Sequence, residues 1–139
     1  SPGCFQMCCQ VLVREYSDPA YRTIHRYTVD AYAAQHPAHS SPAAIQSVYV
    51  HLTGLCLLFE KNKQPKEVRE IMSRLIRDHK YKFQWLTPPT EPAKITILDV
   101  VKASNLAEHT AIVKKWACDV WQSWKEHHST IVNLMAPYL

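Results

Sequence analysis

The sequence predicts an all-α fold, a bundle of four to six helices with one long Pro-rich excursion, and three observations carry that expectation. Apolar residues recur at helical spacing through nearly every segment. The 139 residues include only two glycines, Gly3 and Gly54, too few for a protein built from tight β-turns. The nine prolines cluster between the periodic segments, where helices begin or end.

The segment from Phe5 to Tyr16 places Phe5, Cys8, Leu12 and Tyr16 along one stripe. Asp18-Pro19 is a cap followed by proline at the first helical position, and the second helix runs from Pro19 to about Gln35. It stops at His36, whose backbone is biased away from helix by Pro37. Ser41-Pro42 repeats the start signal. The third helix, to about Lys61, is apolar on almost every side (Ile45, Val48, Leu52, Leu55, Leu58, Phe59) and reads as central and buried.

Pro65 opens an amphipathic fourth helix facing inward through Val68, Ile71, Met72, Leu75 and Ile76. Between Lys80 and Lys94 the pattern breaks at Pro88, Pro89 and Pro92, which predicts an excursion with one short extended piece lying over the bundle. Thr96 with Asp99 caps a short helix to about Ala103. Asn105 and Glu108 open the last helix, predicted as continuous to about Met135. No repeat or low-complexity tract divides the chain, so residues 1–139 read as one domain.

Composition narrows the function classes. At 47% hydrophobic and 20% charged residues the chain is ordinary for a globular protein. No Gly-rich phosphate loop, nucleophile elbow, HExxH or Ser-His-Asp ordering occurs. Eight of the sixteen Lys and Arg lie from Lys61 to Lys82, interleaved with Glu60, Glu67, Glu70 and Asp78. That is the pattern of a solvated helix face, and nucleic acid is not an expected partner. No apolar run reaches the roughly 18 residues of a membrane span. No signal-peptide pattern is visible, although the chain opens on Ser-Pro-Gly-Cys rather than Met. Five cysteines, an odd number and several at apolar positions, argue for a reducing cytoplasm and for buried thiols rather than disulfides.

Histidine carries the chemistry that the sequence offers. His25 and His51 flank the turn at His36–Pro42 at nearly equal distance, so a symmetric hairpin would bring both imidazoles to one level. The last helix adds His127 and His128. His128 continues the tryptophan stripe Ala117, Trp121, Trp124 and is the preferred third ligand, with His127 the alternative. His25, His51 and His128 would then hold a divalent metal, such as zinc, with one position open for water or a small-molecule ligand. Asp30 would orient a ligand histidine or make a structural hydrogen bond. The competing expectation is a non-enzymatic interaction or regulatory module whose histidines only satisfy the core. Whether the chain is an enzyme, and whether it self-associates as a homo-oligomer, the sequence leaves open.

Arg-Glu-Tyr-Ser-Asp-Pro-Ala-Tyr (14–21), His-Arg-Tyr-Thr-Val-Asp-Ala-Tyr (25–32), Gln-Ser-Val-Tyr-Val-His-Leu (46–52) and Trp-Gln-Ser-Trp-Lys-Glu-His-His (121–128) together resemble an uncharacterised bacterial family, a domain of unknown function. Members of that family often carry an upstream Cys-x-x-Cys segment that looks like a zinc knuckle, which these residues lack. The helical layout is also similar to the DinB-like metal-dependent bundles. That likeness implies metal-dependent transferase or hydrolase chemistry, and no motif accompanies it.

Overall fold

The computed structural model describes residues 2–139, and among them every regular element is helical. The seven α-helices are α1 (Pro2–Ser17), α2 (His25–Gln35), α3 (Pro42–Phe59), α4 (Pro65–His79), α5 (Ile97–Val101), α6 (Leu106–Ser123) and α7 (His128–Met135). Short 3₁₀ turns at Pro19–Ile24, Lys125–His127 and Ala136–Tyr138 complete the set.

The boundaries follow the capping chemistry of the chain. Asp18 Oδ1 accepts from Ala20 N at 2.9 Å, and Ser41 Oγ accepts from Ala44 N at 3.1 Å. Thr96 and Asp99 close a reciprocal capping box at α5. At α6, Asn105 Oδ1 accepts from Glu108 N, but Glu108 Oε2 reaches past the cap to Ser104 N.

α3 is the central helix, burying Val48, Leu52, Leu55, Cys56, Leu57 and Leu58 against α2, α4, α6 and α7. It is also the one described helix long and apolar enough to cross a membrane, a property that a core helix shares. α6 lies across α2 and α3 and brings Trp116 and Trp121 into the core. The three buried tryptophans each find an acceptor: Trp116 Nε1 donates to Gln35 Oε1, Trp121 Nε1 to Glu60 Oε1, and Trp124 Nε1 to the Ala34 carbonyl. α4 buries Val68, Ile71, Met72 and Leu75, as its amphipathic pattern requires.

Residues 80–94 form no strand. They lie over the bundle, with Phe83 stacked on Tyr49 (ring centroids 4.6 Å) and Trp85 on His39 (4.9 Å). Asp119 Oδ2 anchors the end of this segment by accepting from Lys94 N and Ile95 N.

Two elements depart from the sequence expectation. The last helix is broken at Trp124, because the Trp121 carbonyl accepts from Trp124 N and from the His128 imidazole, and a 3₁₀ turn follows. α1 is rotated about its axis. Its buried line is Cys8, Val11 and Glu15, whereas Phe5 and Tyr16 face outward. A carboxylate buried on that line must find donors. The partners of Glu15 define the first part of the site.

Candidate functional site

Glu15 is fully buried and accepts three hydrogen bonds. His25 Nδ1 donates to Oε1 at 2.8 Å, while Thr28 Oγ1 (2.6 Å) and His109 Nε2 (2.7 Å) meet Oε2. On the other side of the buried His109 ring, Arg14 Nη1 lies 3.1 Å from Nδ1. A carboxylate at one nitrogen and a guanidinium at the other select the tautomer with hydrogen on Nε2. Arg14 Nη2 also donates to the Val101 carbonyl, which ties α1 to α5. The hub therefore joins α1, α2 and α6.

Asp30 builds the second part from α2 and α3. It too is fully buried, with Oδ1 2.8 Å from His51 Nδ1 and Oδ2 2.9 Å from Arg26 Nε. Room for this carboxylate comes from Gly54. A Cβ there would stand 2.2 Å from Asp30 Oδ2 and 2.9 Å from Arg26 Nη2. Arg26 Nη2 is itself buried without a hydrogen-bond partner among the described residues, as is Thr53 Oγ1.

The two histidines thus share one design. Each donates Nδ1–H to a buried acid, and each side chain is partly exposed, 25% for His25 and 17% for His51. No protein group bonds Nε2 of either ring among the described residues. Holding Nδ1–H leaves the Nε2 lone pair free for a proton, a metal or a substrate.

The structure does not gather the ligand set expected from sequence. Tyr27 meets Phe59, and Asp30 meets His51 and Gly54. α3 is therefore slid along α2 by about five to ten residues from a symmetric hairpin, roughly 8–15 Å at 1.5 Å per residue. Asp30 accordingly stands beside His51, not level with Gln46 and Ser47, and His25 turns to a different acid. His128 is elsewhere again: it donates Nε2–H to the Trp121 carbonyl and stacks on that indole at 3.7 Å. His127, the alternative, donates to the Thr87 carbonyl, at the wall of a groove of about 470 Å³ beside Asp119 and Lys125. Among the described residues no three His, Cys, Asp or Glu side chains are arranged to hold a metal ion.

Sequence reasoning pairs Asp30 with a histidine and sets His109 aside, because it lies about five turns from His127 on the last helix, but it misses Glu15 and Arg14. The signal was present: Glu15 lies on the apolar line Cys8–Val11 at helical spacing, where an acid needs buried donors. Cys8 and Cys56 are buried and behave as small hydrophobes, whereas Cys9 is exposed. Burial pushes the thiols of Cys8 and Cys56 up to about 11.

No curated protein and no solved structure matches the chain, the DinB-like bundles included. A family model described as a family of unknown function (DUF5946) matches residues 1–125, and the chain belongs to that family.

Proposed function

We propose that the protein acts on a small molecule by general-base chemistry, with His51 on Asp30 and His25 on Glu15 as carboxylate-backed bases. One observation carries the reading: both imidazoles hold Nδ1 on a fully buried acid and present an unbonded Nε2. A carboxylate at Nδ1 fixes ring and tautomer and stabilises the imidazolium that forms when Nε2 takes a proton. One such dyad suffices for proton transfer, whereas a metal ion needs three or four ligands. Arg26 Nε donates to the other oxygen of Asp30 and places a positive charge beside the acid that holds His51.

A second reading rests on the same geometry. Histidines that bind divalent metals commonly donate the other ring nitrogen to a carboxylate, so Nε2 of His25 or His51 would hold zinc or a similar ion, with water or substrate at the remaining positions.

Hydrolysis of p-nitrophenyl acetate by the full chain tests both. Turnover above that of free imidazole is expected, falling about 10²-fold or more in His51→Gln. Asp30→Asn should lower it as well, and His128→Ala should leave it unchanged. Equal rates for wild type and the His51 and His25 variants would end the proposal. Loss of turnover to a chelator, restored by zinc, would select the metal reading over the general base.

A further inference from the structure

We propose that the His51 site takes small molecules carrying a carboxylate, which the outer guanidinium nitrogen of Arg26 holds while His51 Nε2 meets the reacting proton. As a substrate class this rests on the general-base reading; as a binding site it stands on Arg26.

Asp30 sets the two groups side by side, His51 Nδ1 on Oδ1 at 2.8 Å and Arg26 Nε on Oδ2 at 2.9 Å. Both side chains reach the surface, Arg26 with 22% of its area exposed. The three guanidinium nitrogens have separate fates. Nε is taken by Asp30. Nη2 is enclosed over Gly54, where a Cβ would stand 2.9 Å from it. Nη1 is neither enclosed nor bonded among the described residues, so it is the nitrogen that solvent reaches. Fixing two nitrogens fixes the direction of the third. An enclosed donor without an acceptor works against folding, and the direction it imposes on Nη1 accounts for its presence here.

Charge selects the ligand. Arg26 and Asp30 cancel, and the proton that His51 accepts leaves the trio with one net positive charge. A carboxylate on Nη1 balances that charge as it forms. The chain's net charge of +4 also favours an anion over a cation. One free nitrogen has two N–H donors, which serve a singly charged carboxylate, whereas a phosphate dianion is gripped by a full guanidinium fork or several cations. The His25–Glu15 pair differs. Its guanidinium, Arg14, turns both Nη nitrogens to His109 and the α5 carbonyls and leaves neither for a ligand. The two histidines therefore divide, and the substrate belongs to His51.

NMR of the ¹⁵N-labelled full chain, titrated with acetate at constant ionic strength, is the test. Saturable shifts of Arg26 Nε–H and the His51 ring nitrogens are expected, with a Kd of about 1–10 mM, as suits one exposed charge-assisted contact. Acetamide should produce none, and the His25 ring should not move. Arg26→Lys keeps a cation for Asp30 but no outward nitrogen, and should weaken binding at least about fivefold, with circular dichroism confirming the fold. Shifts from acetate no larger than those from acetamide would overturn the site, as would saturation unchanged in Arg26→Lys. Phosphate binding as tightly as acetate would overturn the assignment to carboxylates. Turnover is read separately: kcat/KM for mono-4-nitrophenyl glutarate should exceed that for 4-nitrophenyl acetate about tenfold, and equal values would remove the substrate role. A protein that binds acetate at Arg26 yet hydrolyses neither ester loses the general-base reading and the substrate role with it. One that needs His51 for hydrolysis yet shows no acetate shift loses the carboxylate site alone.

Discussion

Gly54 shows how one absent methyl group shapes the site. Glycine inside a helix costs about 1 kcal/mol relative to alanine, and α3 accepts that cost at its centre. In return the Asp30 carboxylate lies against the α3 backbone and reaches His51. Alanine would recover the propensity term but place its Cβ where Asp30 Oδ2 stands. Displacing a buried carboxylate from its partners costs about 3–5 kcal/mol, so Gly54→Ala should lose about 2–4 kcal/mol net. Urea unfolding would read that loss, and the hydrogen-bonded His51 Nδ1–H resonance should vanish; an unchanged midpoint with the resonance intact would contradict the account. The cysteines offer a separate check. Thiols held near 11 are only about one part in 10³ thiolate at pH 8. Brief iodoacetamide treatment at low micromolar protein should therefore modify exposed Cys9 well before its buried neighbour Cys8 or Cys56, as peptide mass spectra would show.

Helix boundaries were legible because they are written locally. Asp18-Pro19, Ser41-Pro42, Thr96 with Asp99 and Asn105 all cap or open helices where the side-chain pattern says they should. Which way a helix faces is a different kind of information. The stripe Phe5, Cys8, Leu12, Tyr16 is as good a helical face as Cys8, Val11, Glu15, and hydrophobicity alone prefers the first. The second wins because Glu15 meets His25, Thr28 and His109, which come from two other helices. The break at Trp124 has the same origin. A side chain four residues further on, His128, claims the Trp121 carbonyl, and no local propensity records that. Register suffers most, since sliding α3 along α2 leaves every local signal unchanged while moving His51 from His25 to Asp30.

Across the whole molecule, the half of the site confined to α2 and α3 is partly visible in the chain, since Asp30 and His51 both stand out as polar residues on apolar helix faces. The half that needs α1 and α6 is not, because Glu15 and His109 stand 94 residues apart and only the packed bundle brings them together. That distance makes Glu15 a global tie. α1 otherwise buries little beyond Cys8 and Val11, with Arg14 bonded to the end of α5. Glutamine in its place offers a single acceptor oxygen to three donors and turns an NH₂ toward one of them. An unsatisfied buried donor costs about 1–3 kcal/mol, and the lost charge adds to it. The penalty falls on the attachment of α1, not on the α3–α6 core with its satisfied tryptophans. Native-state hydrogen exchange of Glu15→Gln should therefore show α1 and α5 losing protection by about 10- to 100-fold while α3 and α6 hold theirs. Uniform loss of protection in all helices would mean that Glu15 supports the core as a whole, and protection unchanged in α1 would mean that its three hydrogen bonds do not hold the helix in place.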